Sequence, residues 1–179
     1  MAKRVRFSCS NLELHDIAQY HADTENALKK YYGIDGQRES LPAKFIGYSE
    51  EEVYIEFRSR IEELERTSSL TLLSSLEAKL RVDYLKRCYK KEKDSLSKEF
   101  RIIYKEKSHR ASLEEDIMET WKKHYPEDKL LISELIAALK YRHWLAHGLY
   151  WEAKLGRKYD YTYIYDLVEQ TDNKLQLVN

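Results

Sequence analysis

The stretch LLISELIAALKYRHWLAHG, residues 130–148, joins an apolar run to a cluster of arginine, histidine and tryptophan. Leu131, Leu135 and Leu139 recur every four residues, and Arg142 follows three residues later. This spacing predicts an amphipathic helix with Arg142 on its apolar stripe. A guanidinium on such a stripe has to pair with a carboxylate, extend its head group to solvent, or belong to a site.

The composition favours an all-α protein. The chain has 179 residues, 42% of them hydrophobic, which is enough for one domain with a core of its own. It contains only 5 Gly and 2 Pro among many Glu, Lys, Leu and Arg, which favours long helices with few connections. We therefore expect residues 1–179 to form a single antiparallel helical bundle with long, partly kinked helices.

The charge balance and the cysteines exclude several classes of protein. Lys and Arg number 31, as do Asp and Glu, so the chain is no generally basic nucleic-acid coat protein, although a local basic patch is compatible with this balance. Cys9 and Cys88 form no CxxC pair, which argues against a zinc knuckle or a redox motif. With no secretory signal and no apolar run of membrane-spanning length, these features indicate a cytoplasmic protein without membrane contact.

Capping residues and apolar periodicity predict the order of the helices. Ser49 and Glu52 form a capping box, and a second box is expected at Ser112 and Glu115. The tail DYTYIYDLVEQ, residues 160–170, is expected to be helical because no other segment offers it a strand partner. The expected helices cover residues 11–32, 49–92, 94–107, 112–124, 126–147 and the tail from 160.

One of these helices is too long for a compact domain. Unbroken, residues 49–92 would extend roughly 66 Å at 1.5 Å per residue, whereas a domain of this size has a radius of gyration of about 16 Å. Serine and threonine weaken helix interiors. We therefore expect a kink or a break at TSSLT, residues 67–71.

Arg142-His143-Trp144-Leu145-Ala146-His147 has the pattern R-x4-H with a polar residue after the arginine. It resembles the motif of HEPN domains, the all-helical domains of prokaryotic toxin, abortive-infection and CRISPR-associated ribonucleases. In that family Asn, Asp or His often follows the arginine, as His143 does here. The segments at 76–91 and 140–151 also resemble small stand-alone bacterial HEPN proteins.

The resemblance implies a HEPN-type bundle with metal-independent endoribonuclease activity, in bacterial defence or as a toxin. Such enzymes bring two R-x4-H motifs together across a homodimer, so the expected catalytic residues are Arg142, His147 and His143 of both copies. These residue types suit attack of the RNA 2′-hydroxyl on the adjacent phosphate. Histidine transfers protons near neutral pH, and arginine binds phosphoryl oxygens. Whether His147 is the acid, the base or a positioning group stays open.

One position departs from the toxin pattern. Toxins of this superfamily that pair with a nucleotidyltransferase antitoxin tend to carry R-x4-H-x-Y. Here Leu149 holds the tyrosine position and Tyr150 follows it. The resemblance therefore implies no tyrosine-modifying antitoxin, while another antitoxin or a defence-system partner is compatible with it.

Residues near the motif are expected to bind RNA. Residues 140–158 contain five Lys or Arg against Glu152 alone, and basic patches attract phosphate. Aromatic side chains here can stack on bases, although a dimer core has an equal claim on them. The expected substrate-binding residues are Lys140, Trp144, Tyr150, Lys154 and Arg157. Residues 81–107, with ten Lys or Arg against five Asp or Glu, are interpreted instead as a solvated helix face.

Three further residues are expected to support the site. Glu77 and Arg81 are spaced for an i,i+4 ion pair, and Glu77 can also orient Arg142 from another helix. Glu134 is a second candidate for that role. The alternatives are that the Glu77–Arg81 pair is exposed and contributes little, and that Arg142 is only a structural ion-pair partner.

The motif has two other interpretations, a metal site and a non-catalytic binding module. A metal site on His143 and His147 is not predicted, because Trp144 stands where the H-E-x-x-H motif has its catalytic glutamate, and no cofactor is expected. A non-catalytic helical module that binds nucleotide or a protein partner is the alternative function. Such a module does not require both Arg142 and His147, which favours the enzyme.

Overall fold

The computed structural model describes residues 4–7, 12–34, 36, 41–149, 152 and 155–178. These residues form six α-helices, with short 3-10 and π-helical turns before several of them, and none of the described residues lies in a β-strand. The α-helices are α1 (Leu14–Tyr31), α2 (Glu50–Lys90), α3 (Ser95–Lys107), α4 (Glu119–His124), α5 (Lys129–Ala146) and α6 (Tyr161–Lys174). The predicted all-α class is confirmed, and so is the helical tail.

The long helix α2 is the element around which the others pack. It contacts α1, α3, α5 and α6. Leu72, Leu73, Leu76 and Leu80 on α2 are at most 1% exposed, and they join one core with the apolar faces of α3 to α6. Burial of each such leucine contributes about 1.5–3 kcal/mol, so this part of α2 fixes the positions of the surrounding helices.

The predicted break at residues 67–71 is wrong, because α2 runs without interruption from Glu50 to Lys90. The hydroxyl of Thr67 donates to the carbonyl of Glu63 at 2.9 Å, and that of Thr71 donates to Thr67 at 2.9 Å. These hydroxyls therefore satisfy themselves within the helix. Ser68 and Ser69 are buried against other helices. Tertiary packing thus outweighs the weak intrinsic helix propensity of this segment.

The length of α2 is accommodated by a second, smaller core. Its N-terminal half packs against the end of α1 and the turn Ala43–Phe45. We call this the distal cluster, and its buried residues are Tyr32, Phe45, Val53, Phe57 and Ile61. The helix therefore extends beyond the main core without leaving its apolar stripe in water.

Of the two predicted capping boxes, the first is present and the second is only half right. Ser49 and Glu52 exchange both capping hydrogen bonds. Ser112 accepts from the Glu115 N–H at 3.3 Å, but the carboxylate that accepts from the Ser112 N–H is that of Asp116, at 2.7 Å. The reason is a π-helical first turn, Leu113–Met118, which places an additional residue in the turn before α4 begins.

Candidate functional site

Arg142 lies on α5 where its buried stripe ends. Leu131, Leu135 and Leu139 are buried, whereas the Arg142 side chain keeps 31% of its surface exposed. Its Nη2 atom lies 3.3 Å from Oε2 of Glu77 on α2. Arg142 thus lies at the end of an apolar stripe and pairs with a carboxylate on another helix. That carboxylate, Glu77, is one of the two that the sequence analysis named.

Glu77 binds a second arginine at the same time. Arg81 Nε donates to Glu77 Oε1 at 2.9 Å, and Arg81 Nη1 donates to the carbonyl of Ala111 at 3.2 Å. The Glu77 side chain is only 18% exposed. One mostly buried carboxylate thus connects α2, α5 and the segment before α4, and the predicted Glu77–Arg81 pair is not merely a surface pair.

The guanidinium of Arg142 is incompletely satisfied. Its Nε atom is buried and has no hydrogen-bond partner among the described residues. Leaving a buried N–H without an acceptor costs about 1–3 kcal/mol, and a functional role is one explanation for such a group in a native protein.

The helix α5 ends at the second half of the motif. His147 is the C-cap, and Gly148 at C′ has φ of +75°. The Gly148 N–H donates to Leu145 and the Leu149 N–H to Trp144, which is the Schellman pattern. Gly148 therefore ends α5 in a left-handed conformation and fixes the backbone at His147.

The two histidines of the motif lie side by side. Their ring centroids are 4.2 Å apart at an interplanar angle of 54°, and both residues are exposed. An i,i+4 spacing on α5 brings them together. The structure thus places a pair of accessible imidazoles at the C-terminal end of the helix that carries Arg142.

A surface cleft of about 490 Å³, which we call the arginine cleft, opens beside Arg142. It lies between α2, α5 and the turns that precede α4. The residues that line it are Glu77, Arg81, Arg110, Ala111, Ser112, Leu113, Glu114, Glu115, Leu139, Arg142 and His143. Its volume is in the range of small-molecule sites, so it can admit one nucleotide unit of a chain.

The charges of the arginine cleft balance. Three arginines and three glutamates line it. Glu77 is shared by Arg81 and Arg142, whereas Arg110 is exposed and forms no ion pair with a described residue. The cleft therefore offers cationic donors for a phosphate beside carboxylates that can accept from the N–H groups of a base.

Sequence reasoning missed the contribution of residues 110–115 to this cleft. Arg110 ends a short 3-10 turn after α3, and the sequence identified Ser112 and Glu115 only as capping residues. Their approach to Arg142 depends on how α3 and the π-helical turn Leu113–Met118 pack against α2, a long-range contact that no local pattern encodes. The one signal in the sequence for this part of the cleft was Arg110, an arginine just before the helix start expected at Ser112.

The residues predicted to bind substrate do not converge on the cleft. Lys140 is exposed on α5, and Trp144 is half-buried against the main core, with its ring 5.9 Å from that of Tyr141. Arg157 stacks on Tyr163, with Cζ 3.7 Å from the ring centroid. Tyr150 and Lys154 lie outside the described residues. None of the described residues in this set lines the arginine cleft. That these residues contact RNA therefore stays a prediction.

The prediction that Glu134 orients Arg142 is wrong. Glu134 is exposed on α5 and lies near Tyr163 on α6, where burial and then the charge of the Glu134 carboxylate raise the pKa of the tyrosine hydroxyl. Eight residues along a helix correspond to about 12 Å of rise and about 80° of rotation. Glu134 is therefore too far from Arg142 to pair with it.

The basic segment 81–107 combines engaged arginines with exposed lysines. Arg87 is 6% exposed, donates to Asp83 at 2.8 Å and reaches the carbonyl of Gln176 at 2.7 Å. Arg101 donates to the carbonyl of Glu92 at 2.6 Å. The exposed lysines, which agree with the interpretation as a solvated face, are Lys90, Lys91, Lys93, Lys98 and Lys105.

Comparisons with known proteins identify no relative. No protein-family model, curated protein or solved structure matches the chain. Within the described part of the chain, no helix has the length and apolar character needed to cross a membrane. The same residues contain no group of three or more His, Cys, Asp or Glu arranged to hold a metal ion.

Proposed function

We propose that this chain is a metal-independent endoribonuclease of the HEPN type, acting as a homodimer. The observation that carries the proposal is the arrangement at Arg142. Its guanidinium is held by Glu77 at the wall of a cleft, and two exposed histidines stand at the end of the same helix. This combines a fixed phosphate donor with groups that transfer protons near neutral pH.

Each residue has a distinct task in the proposed reaction. Arg142 binds the non-bridging oxygens of the scissile phosphate and stabilises the charge that develops on them. The reaction also requires removal of the 2′-hydroxyl proton and protonation of the 5′-oxygen. His147 carries out one of these two proton transfers, and His143 positions it through their neighbouring rings. Cleavage then leaves a 2′,3′-cyclic phosphate.

The geometry of one chain supports the proposed dimer. His147 follows Arg142 by five residues, about 140° around the helix axis, and it is not among the described residues that line the arginine cleft. One cleft thus has Arg142 without His147. A second copy related by two-fold symmetry would supply that histidine and complete a composite site.

The biological setting of the proposal follows from the resemblance to HEPN ribonucleases. We place the protein in bacterial defence or among toxins, with RNA as substrate and an antitoxin or defence-system component as a possible further partner. The charge-balanced cleft suits RNA of a selected sequence better than any RNA, because carboxylates such as Glu114 repel phosphate but accept from base N–H groups.

The proposal is tested by incubating the purified chain with RNA in excess EDTA and identifying the 3′ ends produced. We expect cleavage to continue and the products to carry 2′,3′-cyclic phosphate. Activity that EDTA abolishes and that zinc or magnesium restores would overturn the metal-independent mechanism.

The same charge balance favours a second candidate function, a helical module that binds a nucleotide or a protein partner without cleaving RNA. Three glutamates in the cleft weaken its attraction for a polyanion. In that case RNA or nucleotide would bind in a filter or calorimetric assay, and no cleavage would occur under any metal condition.

A further inference from the structure

A second pocket lies at the distal cluster, far from the arginine cleft. Its volume is about 510 Å³. Tyr54, which lines it, precedes Glu77 by about 35 Å along α2 at 1.5 Å per residue. The residues that line this aromatic pocket are Tyr32, Gly33, Ile34, Leu41, Phe45, Tyr48, Glu50, Glu51, Val53 and Tyr54. No role in the proposed ribonuclease involves it.

Four aromatic rings form part of its wall. Phe45 packs against Tyr32 at 5.3 Å and against Tyr48 at 5.7 Å between ring centroids. Tyr48 and Tyr54 are 50% and 51% exposed, so their ring faces are accessible from solvent. The faces of aromatic rings carry negative potential and attract cations.

The charged residues of the pocket have the same sign. Its charged lining residues are Glu50 and Glu51 in the first turn of α2, and no lysine or arginine is among the described residues that line it. Glu51 is exposed and forms no ion pair with a described residue. Rings and carboxylates together therefore favour a positively charged ligand.

The neighbouring Lys44 shows that this cluster accommodates an ammonium group. Its Nζ lies 4.6 Å from the ring centroid of Phe45 and 5.6 Å from that of Tyr32, and it pairs with Glu56 at 2.5 Å. Lys44 does not line the pocket. The same chemistry, aromatic rings beside a carboxylate, is repeated in the pocket at Tyr48, Tyr54 and the exposed Glu51.

Exposed apolar side chains lie next to residues that line the pocket. Ile46, which follows Phe45, is 83% exposed, and Ile55, one helical turn after Glu51, is 60% exposed. A free small cation would leave these side chains in water, whereas a polypeptide would cover them with its own apolar residues. Exposed apolar side chains beside a pocket are typical of protein contact sites.

We propose that the aromatic pocket binds a lysine or arginine side chain of a partner protein, whose adjacent apolar residues cover Ile46 and Ile55. The rings of Tyr48 and Tyr54 contact the cation, and Glu51 supplies the opposite charge. The pocket thus serves recruitment of a partner and is independent of the ribonuclease proposal.

The test is an NMR titration of the full-length, uniformly ¹⁵N- and ¹³C-labelled chain with the peptide acetyl-Leu-Lys-Leu-amide. A matched peptide with norleucine in place of lysine is the neutral control. We expect the lysine peptide to shift resonances of residues 45–55, and the norleucine peptide to bind at least fivefold more weakly. Tyr54→Leu should weaken lysine-peptide binding about two- to fivefold, whereas Tyr20→Leu, at an exposed tyrosine of α1, should not.

Several results would overturn the proposal. Equal binding of the two peptides would make the pocket simply apolar, and no shift with either would leave it without this ligand. Tetramethylammonium that binds as tightly as the lysine peptide would indicate a free organic cation in place of a protein. Shifts of residues 45–55 on dilution alone would assign the surface to a second copy of the chain.

Discussion

Glu77 on α2 lies 3.3 Å from Arg142 on α5 through atoms Oε2 and Nη2, so a mostly buried carboxylate sets the position of the arginine in the R-x4-H motif. The same carboxylate also binds Arg81. A helix that belongs to the core thereby controls a side chain at the wall of the cleft.

Glu77→Gln tests whether this contact positions Arg142 for catalysis. The amide keeps the size of the side chain but loses its charge, so the guanidinium should lose its fixed orientation. We expect kcat for RNA cleavage to fall by up to about 100-fold, with a smaller change in KM.

The control for Glu77→Gln is Glu62→Gln on the same helix, where an exposed glutamate pairs with Arg66 at 3.2 Å. This variant should keep kcat unchanged. If Glu77→Gln lowers the melting temperature but leaves kcat intact, the contact is structural and the positioning role is contradicted.

A composite site requires a dimer in solution. We expect multi-angle light scattering to give twice the chain mass of 21.5 kDa at micromolar concentration, with α5 at the interface. Arg142→Ala should retain this mass, because the ion pair of Arg142 with Glu77 lies within its own chain. A monomer throughout the concentration range of the activity assay would argue strongly against the composite site.

Ser69→Ala should stabilise the protein. The Ser69 hydroxyl is buried and has no hydrogen-bond partner among the described residues, and an unsatisfied buried polar group costs about 1–3 kcal/mol. Ser59→Ala, at an exposed position of the same helix, reports the gain in helix propensity alone.

In urea denaturation the free energy of unfolding should rise by about 1 kcal/mol more for Ser69→Ala than for Ser59→Ala. A lower stability of Ser69→Ala would show that the hydroxyl has a partner, such as an enclosed water molecule.

His21 should make the fold sensitive to mild acid. The residue is 9% exposed and stacks on the ring of Tyr161 at 3.7 Å between centroids. Burial lowers the pKa of its imidazole, and the charge of Glu25 only partly opposes this. The unfolded chain therefore binds a proton near pH 6.5 that the folded chain binds only at lower pH.

The contribution of His21 to stability is accordingly complete above about pH 6.5 and declines as the pH falls from there towards the lowered folded-state pKa. His21→Phe keeps the stacking and removes the titration. Urea denaturation at pH 7.5 and pH 5.5 should show a larger loss of stability for the natural chain than for His21→Phe. Equal losses would mean that His21 does not titrate differently in the two states.

The sequence predicts those features of the fold that depend on local patterns. The cap at Ser49 and the stripe of Leu131, Leu135 and Leu139 each follow from spacing along one segment, and the structure contains both of them. The continuity of α2 through Thr67–Thr71 could not be predicted, because burial of Ser68 and Ser69 by other helices outweighs a local preference.

In the candidate site, too, the residues that lie on helices could be predicted from the sequence. Arg142, its partner Glu77 and the histidine pair lie on helices whose apolar faces are evident in the sequence. Arg110 was missed because its place in the cleft depends on how α3 and the π-helical turn Leu113–Met118 pack against α2. Arg157 was assigned to the site although it stacks on Tyr163. Sequence spacing identifies residues on one helix face but not the loops that meet that face.

Substitution of Arg142 or His147 should reduce RNA cleavage without unfolding the protein. Arg142→Ala and His147→Ala are each expected to keep the helical circular dichroism spectrum and the dimer, while His143→Ala should have a milder effect on cleavage. Residues that act as a unit are non-additive, so the Arg142/His147 double variant should be little worse than either single variant. Unfolding of Arg142→Ala without a separable loss of activity would return this residue to a purely structural role.

The most direct test of the account is the rate of RNA cleavage by His147→Ala, measured in excess EDTA on a preparation whose dimer and helical content match those of the natural chain. General acid–base groups contribute about 10²–10⁴-fold, and we predict a loss of that size. Cleavage at the natural rate would contradict the proposal that His147 takes part in the reaction and would leave the non-catalytic binding module as the better description.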